Sequence, residues 1–402
     1  MDALKTKTGK KQLIYTYIPF LFNGMLALSL GSLLPFIRDE RGLSYAFAGL
    51  IVSLHSVGNF VSSFFAGTAA VALGRKRSIL LFDLCFPISY LLILFGKPAW
   101  CLALAFFLTG IARGATSNFA NTVVNNLAPG KATYLNALHA MFSVGALAFP
   151  IILTFLTGRG ERGWIIAVYM MVVIGVLSFL MYVLDPVPED LGIAKKPQDK
   201  KEKEDGEEGS NGFGFFKEPL FYLVTFALFF YLCTEQGVIG WLVTYFKDTG
   251  LLDDKSSQLT SSIMWTMMLI GRLATAYLST RVKKENMVLG MSSMVVVFFI
   301  FLLLSKNTPM IVCGLMGFGL SMAGIYATAV SFAGRLLQRF SLCWSFILTI
   351  ASLGSVLMPM VIGAIAEGAG IYAGMCSIMV VVVIDFIFIF SLRNYLKRGK
   401  AV

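Results

Sequence analysis

Residues 143–150 read Ser-Val-Gly-Ala-Leu-Ala-Phe-Pro, and residues 352–359, which lie 209 positions later, read Ser-Leu-Gly-Ser-Val-Leu-Met-Pro. The same spacing relates Asp39 to Asp248. At this offset, apolar stretches fall on apolar stretches, and polar interruptions fall on polar interruptions. Apolar runs and polar interruptions that match at one constant offset indicate that the same structural unit occurs twice. The chain is therefore expected to consist of two similar halves.

The composition places this chain in a lipid bilayer. Apolar residues make up 57% of its 402 residues and charged residues only 14%, with a mean hydropathy of +0.77. Apolar runs long enough to cross a membrane recur throughout, and backbone groups in lipid must be satisfied within a helix. We predict an all-α membrane protein with twelve transmembrane helices in two pseudo-symmetric six-helix bundles. The predicted spans are residues 13–37, 45–73, 78–95, 99–127, 132–157, 163–184, 218–246, 257–280, 286–305, 308–334, 341–366 and 370–394.

One long polar stretch, residues 185–217, interrupts the apolar pattern. Its Lys, Glu, Asp, Gly and Ser content is typical of a solvated linker. We therefore predict an N-terminal bundle over residues 1–184, a cytoplasmic linker, and a C-terminal bundle over residues 218–402. A tether explains the linker more simply than a regulatory segment does.

The distribution of basic residues predicts the orientation. The net charge is +11, and most of the 33 lysines and arginines fall in segments that share one side with the N-terminus. Positive charge collects on the cytoplasmic side, so both termini are expected there, in a bacterial-type inner membrane. The first apolar run is too long for a signal peptide and is expected to be the first span. The charge therefore reflects topology, and no nucleic-acid partner is expected.

Cysteine chemistry, metals, cofactors and enzymatic activity are not expected. The six cysteines all lie within predicted spans, without the spacing of metal ligands, and are predicted to pack as small apolar residues. No nucleophile and base stand at a spacing that indicates catalysis.

Glu235 lies near the middle of the seventh predicted span, beside the helix-weakening residues Gly237 and Gly240. An ionisable group in hydrocarbon costs about 2.5 to 3.5 kcal/mol on insertion scales, so such a group usually serves a function or has a partner. We predict that Glu235 binds a coupling proton. The alternative is a structural ion pair, for example with Arg113.

Several polar side chains share helical faces. Asn118 and Asn121 lie three residues apart in the fourth span, and His55 and Asn59 lie one turn apart in the second. Amides and imidazoles both donate and accept hydrogen bonds, which suits hydroxyl-rich solutes. Bonds between helices are the alternative. The candidate substrate-binding residues are Asn23, His55, Asn59, Asn118, Asn121, His139, Glu235, Trp241 and Tyr326, the last two as stacking platforms for sugar rings.

The loop between the second and third spans resembles a signature of the major facilitator superfamily. Gly67 is followed after six residues by Gly74, Arg75, Lys76 and Arg77. The superfamily has an acidic residue where this chain has Val71, and Asp83 is a candidate substitute. The resemblance implies a transporter with two six-helix bundles. The candidate gating residues are Gly74, Arg75, Arg113 and Arg272.

At finer grain the first half resembles the fucose-permease-like sugar transporters. Asn23-Gly24-Met25, Asn121 and the Leu-His pair at His139 carry this likeness, together with Glu235 in the seventh span. The acidic positions of the fucose permease are occupied by Gly31 and Ser117 here. Fucose itself is therefore not expected, and Glu235 is the natural replacement for the missing acids.

Together these features predict a monomeric secondary transporter that moves a small polar solute by alternating access. A monosaccharide or sugar derivative, coupled to protons, is the first expectation. A proton-driven drug or metabolite exporter would need a broad apolar cavity, and an organic-anion carrier would use Arg113 to bind a carboxylate. A membrane sensor would be expected to carry an additional folded domain.

Overall fold

The computed structural model describes residues 7–128, 132–160, 162–185, 213–279, 281–340 and 342–398. These residues form helices and connecting turns, with no strand among them. The helices are α1 Lys7–Arg41, α2 Tyr45–Leu73, α3 Arg75–Asp83, α4 Cys85–Phe95, α5 Ala99–Leu127, α6 Ala132–Thr157, α7 Gly163–Leu184, α8 Pro219–Asp248, α9 Asp254–Leu278, α10 Lys284–Leu304, α11 Thr308–Met322, α12 Ile325–Phe332, α13 Gly334–Arg339 and α14 Cys343–Lys397.

The predicted all-α membrane architecture is confirmed. Within the described part of the chain, ten helical segments are long and apolar enough to cross a membrane. The 55-residue α14 accounts for two predicted spans, because Gly370 breaks it with a φ of 83°. The more polar α9 corresponds to the predicted span 257–280. Most of the predicted linker, residues 186–212, lies outside the described residues.

A proline explains why the third predicted span appears as two helices. Pro87 has no N–H, so the carbonyl of Asp83 cannot accept its usual helical hydrogen bond, and the proline ring crowds that carbonyl. Leu84, between α3 and α4, keeps helical backbone angles, with φ −58° and ψ −26°, and its N–H donates to the Leu80 carbonyl oxygen. Asp83 therefore lies at a point within a membrane span where the proline removes one helical hydrogen bond.

Equivalent glycines in the two halves allow equivalent helix contacts. A Cβ atom on Gly145 of α6 would lie 1.9 Å from the Leu21 carbonyl oxygen of α1. A Cβ on its counterpart Gly354, in α14, would lie 2.3 Å from the carbonyl oxygen of Phe229 in α8, one residue before the repeat equivalent of Leu21. Only hydrogen fits where backbones approach this closely, so the shared glycines preserve the same contact in both repeats.

The helices group into two compact units. Unit 1 comprises Met1–Leu33 and Leu54–Gly206, and unit 2 comprises Leu34–Ser53 and Glu207–Val402. Residues 34–53 belong to the first half by chain order but pack within unit 2. One cause is a close approach of α2 to α14, where a Cβ on Gly363 would lie 2.4 Å from the Tyr45 carbonyl oxygen.

Candidate functional site

His55 positions Arg113 inside unit 1. The Thr109 hydroxyl donates to the Phe106 carbonyl oxygen at 2.5 Å, so it must accept the hydrogen bond from His55 Nδ1 at 2.9 Å. The proton is therefore on Nδ1, and Nε2 accepts from Arg113 Nη1 at 3.3 Å. This chain of bonds makes His55 a neutral side chain that orients a guanidinium group.

Close packing of α2 against α5 brings this pair together. A Cβ on Gly110 would lie 2.0 Å from the His55 carbonyl oxygen, so the glycine lets the two backbones touch. Helix α1 joins the network through Asn23, whose Nδ2 donates to Ser117 Oγ at 3.0 Å and to the Arg113 carbonyl oxygen at 3.5 Å. Three predicted residues, Asn23, His55 and Arg113, are thus collected on three helices. Sequence reasoning did not identify Thr109, whose only signal was its position one turn before Arg113.

The other predicted amides of unit 1 lie apart from this pair. Asn118 Nδ2 donates to the Ser63 carbonyl oxygen at 3.1 Å, and Asn121 Nδ2 donates to the Ser117 carbonyl oxygen of its own helix at 2.8 Å. Asn59 is half-buried, while His139 is exposed beside the edge of the Phe20 ring. Backbone bonding accounts for two of these amides, and substrate contact stays a prediction for all four residues.

Glu235 is the centre of a second polar group, in unit 2. It is half-buried in α8 and accepts a hydrogen bond from Tyr231 Oη, one turn earlier, at 3.1 Å. The Tyr326 ring lies 5.9 Å from the Tyr231 ring. Glu235 takes part in none of the ion pairs observed between described residues of unit 2. Proton binding by Glu235 stays a prediction.

Two other predicted residues of unit 2 take different positions. Trp241 is completely buried, and its Nε1 donates to the Pro359 carbonyl oxygen at 3.0 Å. This places the indole between α8 and α14, where packing explains it; stacking on a sugar stays a prediction. Arg272 is exposed, with its guanidinium 5.8 Å from the centre of the Trp265 ring, and its charge also acts on Tyr231, the hydrogen-bond partner of Glu235.

Repeat-equivalent charges form a reciprocal ion-pair cluster, defined here as Arg38, Asp39, Lys247 and Asp248. Arg38 binds Asp248 through both terminal nitrogens, with Nη2 at 2.9 Å from Oδ1, and Lys247 Nζ lies 2.9 Å from Asp39 Oδ2. Each half thus supplies a basic residue followed by an acidic residue at equivalent positions of the repeat. The basic residue of each half pairs with the acidic residue of the other. The Tyr45 hydroxyl also donates to Asp248 Oδ2, at 2.7 Å. The sequence signal was a basic-acidic dipeptide ending the first span of each half.

Exchanging charges within this cluster tests the pairing. We expect Asp39→Lys and Lys247→Asp each to lower the midpoint of thermal unfolding, because each change places like charges side by side. The double variant should recover part of the loss, with a coupling free energy of about 1 kcal/mol or less, because Asp39 is partly exposed and the exchanged charges still face Arg38 and Asp254. Thermal unfolding of the purified protein in detergent measures this. Additive losses in the double variant would contradict the pairing.

Comparison with known proteins identifies the family. The family model described as Major Facilitator Superfamily matches residues 17–346. The chain belongs to this superfamily. It is therefore a multi-pass membrane transporter and not an enzyme.

Relatives of similar length support this assignment. The chain is 25% identical to an uncharacterised MFS-type transporter of Bacillus subtilis over 92% of this chain and 91% of that protein. It is 21% identical to the glucose/mannose transporter GlcP of the same organism, over 91% and 92% of the two chains. A crystal structure of a bacterial homologue of the human lysosomal transporter Spinster matches with a TM-score of 0.79 at 15% identity, over 98% of both chains. The structural likeness confirms the major facilitator fold.

The basic loop of this superfamily member has a partner that sequence reasoning did not identify. Lys76 Nζ donates to the Val183 and Asp185 carbonyl oxygens at 2.8 and 2.6 Å, which caps the end of α7. Burial raises the pKa of Asp185 to about 6, against the opposing effects of Lys76 and Arg75. The expectation that Asp83 substitutes for the missing acid in this loop is not met, because Asp83 bonds to Ser178 instead. Gly74 supplies the turn, with a φ of 81°.

Proposed function

We propose that this protein is a secondary active transporter that moves a monosaccharide or sugar derivative by alternating access, driven by protons. The observation that carries the proposal is likeness to a glucose/mannose transporter over nine-tenths of both chains. We further propose a monomer in the cell membrane, with both termini cytoplasmic, on the distribution of basic residues.

The polar groups of unit 1 suit a hydroxyl-rich solute. Asn23, Ser117, Arg113 and His55 provide amide, hydroxyl and guanidinium groups on three adjoining helices. Sugars present hydroxyl groups that both donate and accept, so a mixed set of this kind can satisfy them. In unit 2, the half-buried Tyr326 ring, which packs beside the buried Tyr231, offers an apolar face on which a sugar ring can stack.

Proton coupling is assigned to Glu235. A carboxyl group within a membrane span is costly when charged, so its protonation can be linked to movement of the substrate. Tyr231 holds this carboxyl group by a hydrogen bond to Oε1, which fixes its position without neutralising it.

An organic-anion carrier is the second candidate, favoured by the arrangement of Arg113. A guanidinium group has five N–H donors, and a neutral imidazole orients it without cancelling its charge. Such a group could bind the carboxylate of an anionic solute through two parallel hydrogen bonds.

Counterflow in proteoliposomes tests the proposal. Vesicles preloaded with one unlabelled solute are presented with the same solute in labelled form, across a panel of neutral monosaccharides, nucleosides and organic acids. We expect saturable counterflow of a neutral monosaccharide. In a separate net-uptake assay, we expect accumulation of the same sugar to be stimulated by an acidic exterior and abolished by a protonophore. Exchange of organic acids alone, lost in Arg113→Lys, would support the anion carrier and contradict the sugar proposal.

A further inference from the structure

Asp83 is a buried carboxyl group in unit 1 that the proposed mechanism does not use. It is 2% exposed, at the end of α3. Its Oδ1 accepts a hydrogen bond from Ser178 Oγ of α7 at 3.1 Å, and the Thr116 hydroxyl of α5 lies beside the carboxyl group. Among the described residues, Oδ2 has no hydrogen-bond partner.

An ionised carboxylate in these surroundings would be poorly compensated. A buried charge normally needs a counter-ion or several hydrogen bonds, and the ion pairs of the described residues do not include Asp83. Within a membrane, water cannot supply the missing bonds. The neutral carboxylic acid is therefore the form that this packing accommodates, with its proton on the unpartnered Oδ2.

The groups around Asp83 do not change this conclusion. Tyr182 of α7 and Cys85 of α4 are the titratable groups that interact electrostatically with it, and neither is basic. Arg75 and Asp185, of opposite charge, act on Tyr182. The α1 and α5 residues that line the adjoining space contribute amide, hydroxyl and apolar groups, but no charge.

A narrow space links Asp83 to the polar network of unit 1. It comprises about 160 Å³ of partly open space, none of it wide enough for a water molecule. Its lining residues are Pro19, Asn23, Leu26, Asp83, Phe86, Ala112, Thr116 and Ser178. Asn23, on its α1 side, also bonds to Ser117 and the Arg113 backbone. A change in the charge of Asp83 can therefore affect Asn23, a candidate substrate-binding residue in the same packed unit.

We propose that Asp83 is a proton-binding site inside unit 1, separate from Glu235, and that the charge change on proton exchange is transmitted to Asn23. The reaction is the gain or loss of one proton by the carboxyl group. The ligand is a proton rather than a metal cation. A hard cation needs several oxygen ligands around it, whereas this space holds one carboxyl group and two hydroxyls and is too small for coordinating water.

The proline gives the site a route for proton exchange. Because the Asp83 carbonyl lacks its usual partner from Pro87, one helical hydrogen bond is missing there, and the span can bend at Asp83 more easily than elsewhere. Bending at this point would open the carboxyl group to water from one side. This step rests on the proposed function, in which the helices move during transport.

Infrared difference spectroscopy of the purified protein, without any substrate, tests the site directly. Alkaline-minus-neutral spectra should show loss of a protonated carboxyl band in the wild type. That band should be absent from Asp83→Asn and retained in Glu235→Gln. Asp385→Asn is the matched control, because Asp385 is the other deeply buried acid within a described span, 4% exposed in α14.

The outcomes separate this site from the transport proposal. Asparagine matches the neutral acid in shape, so Asp83→Asn should unfold at nearly the wild-type temperature. A carboxyl spectrum unchanged by Asp83→Asn at every pH would overturn the proposal, whatever the protein transports. A band lost only in Asp83→Asn would support it even if no sugar were exchanged.

Discussion

Glu235→Gln is expected to abolish accumulation of substrate against its gradient while leaving counterflow exchange intact. Glutamine keeps the size of the side chain and can still accept the hydrogen bond from Tyr231, but it cannot bind and release a proton. Exchange needs only the movement of the loaded carrier, whereas uphill uptake needs the proton. Proteoliposomes with an imposed pH gradient measure both activities in one preparation.

Glu218→Gln is the matched control for this change. Glu218 immediately precedes α8, where it forms a long ion pair with the exposed Arg339, 3.5 Å between Nη1 and Oε1. Exposed pairs of this kind contribute little free energy, so near wild-type uptake is expected. Retained accumulation in Glu235→Gln would remove Glu235 from the coupling mechanism. Loss of both uptake and exchange would mean that the carboxyl group serves binding instead.

Gly58→Ala is expected to give the largest loss of stability among single methyl additions in α2. A Cβ at Gly58 would lie 2.2 Å from the Phe107 carbonyl oxygen, which is backbone and cannot rotate away. The helices α2 and α5 must then separate, at a cost of about 1–3 kcal/mol for overpacking. Separation would also pull His55 away from Arg113, so exchange activity should fall together with stability.

The same helix offers a control at Gly67. Nothing lies within 4 Å of a Cβ built there. Gly67→Ala should therefore be neutral, or stabilising by about 0.5–1 kcal/mol through the lower conformational entropy of alanine in the unfolded chain. Thermal unfolding in detergent compares the two variants. Equal midpoints for Gly58→Ala and Gly67→Ala would show that the α2–α5 contact is looser than the structure indicates.

The spans and the repeat could be predicted because both depend on patterns of neighbouring residues along the chain. An apolar run of sufficient length must become a helix in lipid, whatever surrounds it. The offset that relates Gly145 to Gly354 likewise predicts the same contact twice, and the structure has it in both units. Pro87 likewise predicts the missing helical hydrogen bond at Asp83, since an absent N–H acts within its own helix.

The candidate site was only partly predictable, because the sequence does not show how each helix is rotated about its axis relative to its neighbours. Asn118 and Asn121 share a helical face, yet they bond to backbone carbonyl oxygens. Asn23 and His55 lie far apart in the chain, yet both reach Arg113. Spacing along one helix gives the face of a side chain, but not the neighbour that this face meets.

For this protein, the sequence alone determined the membrane class, the spans and the twofold repeat, because hydropathy and turn chemistry act over a few residues. The tertiary structure alone decided which polar groups meet. It paired Asp83 with Ser178 rather than with the basic loop, and it joined the dipeptides ending at Asp39 and Asp248. These choices depend on how closely helices approach and how they are turned, which glycines such as Gly58 permit but do not specify.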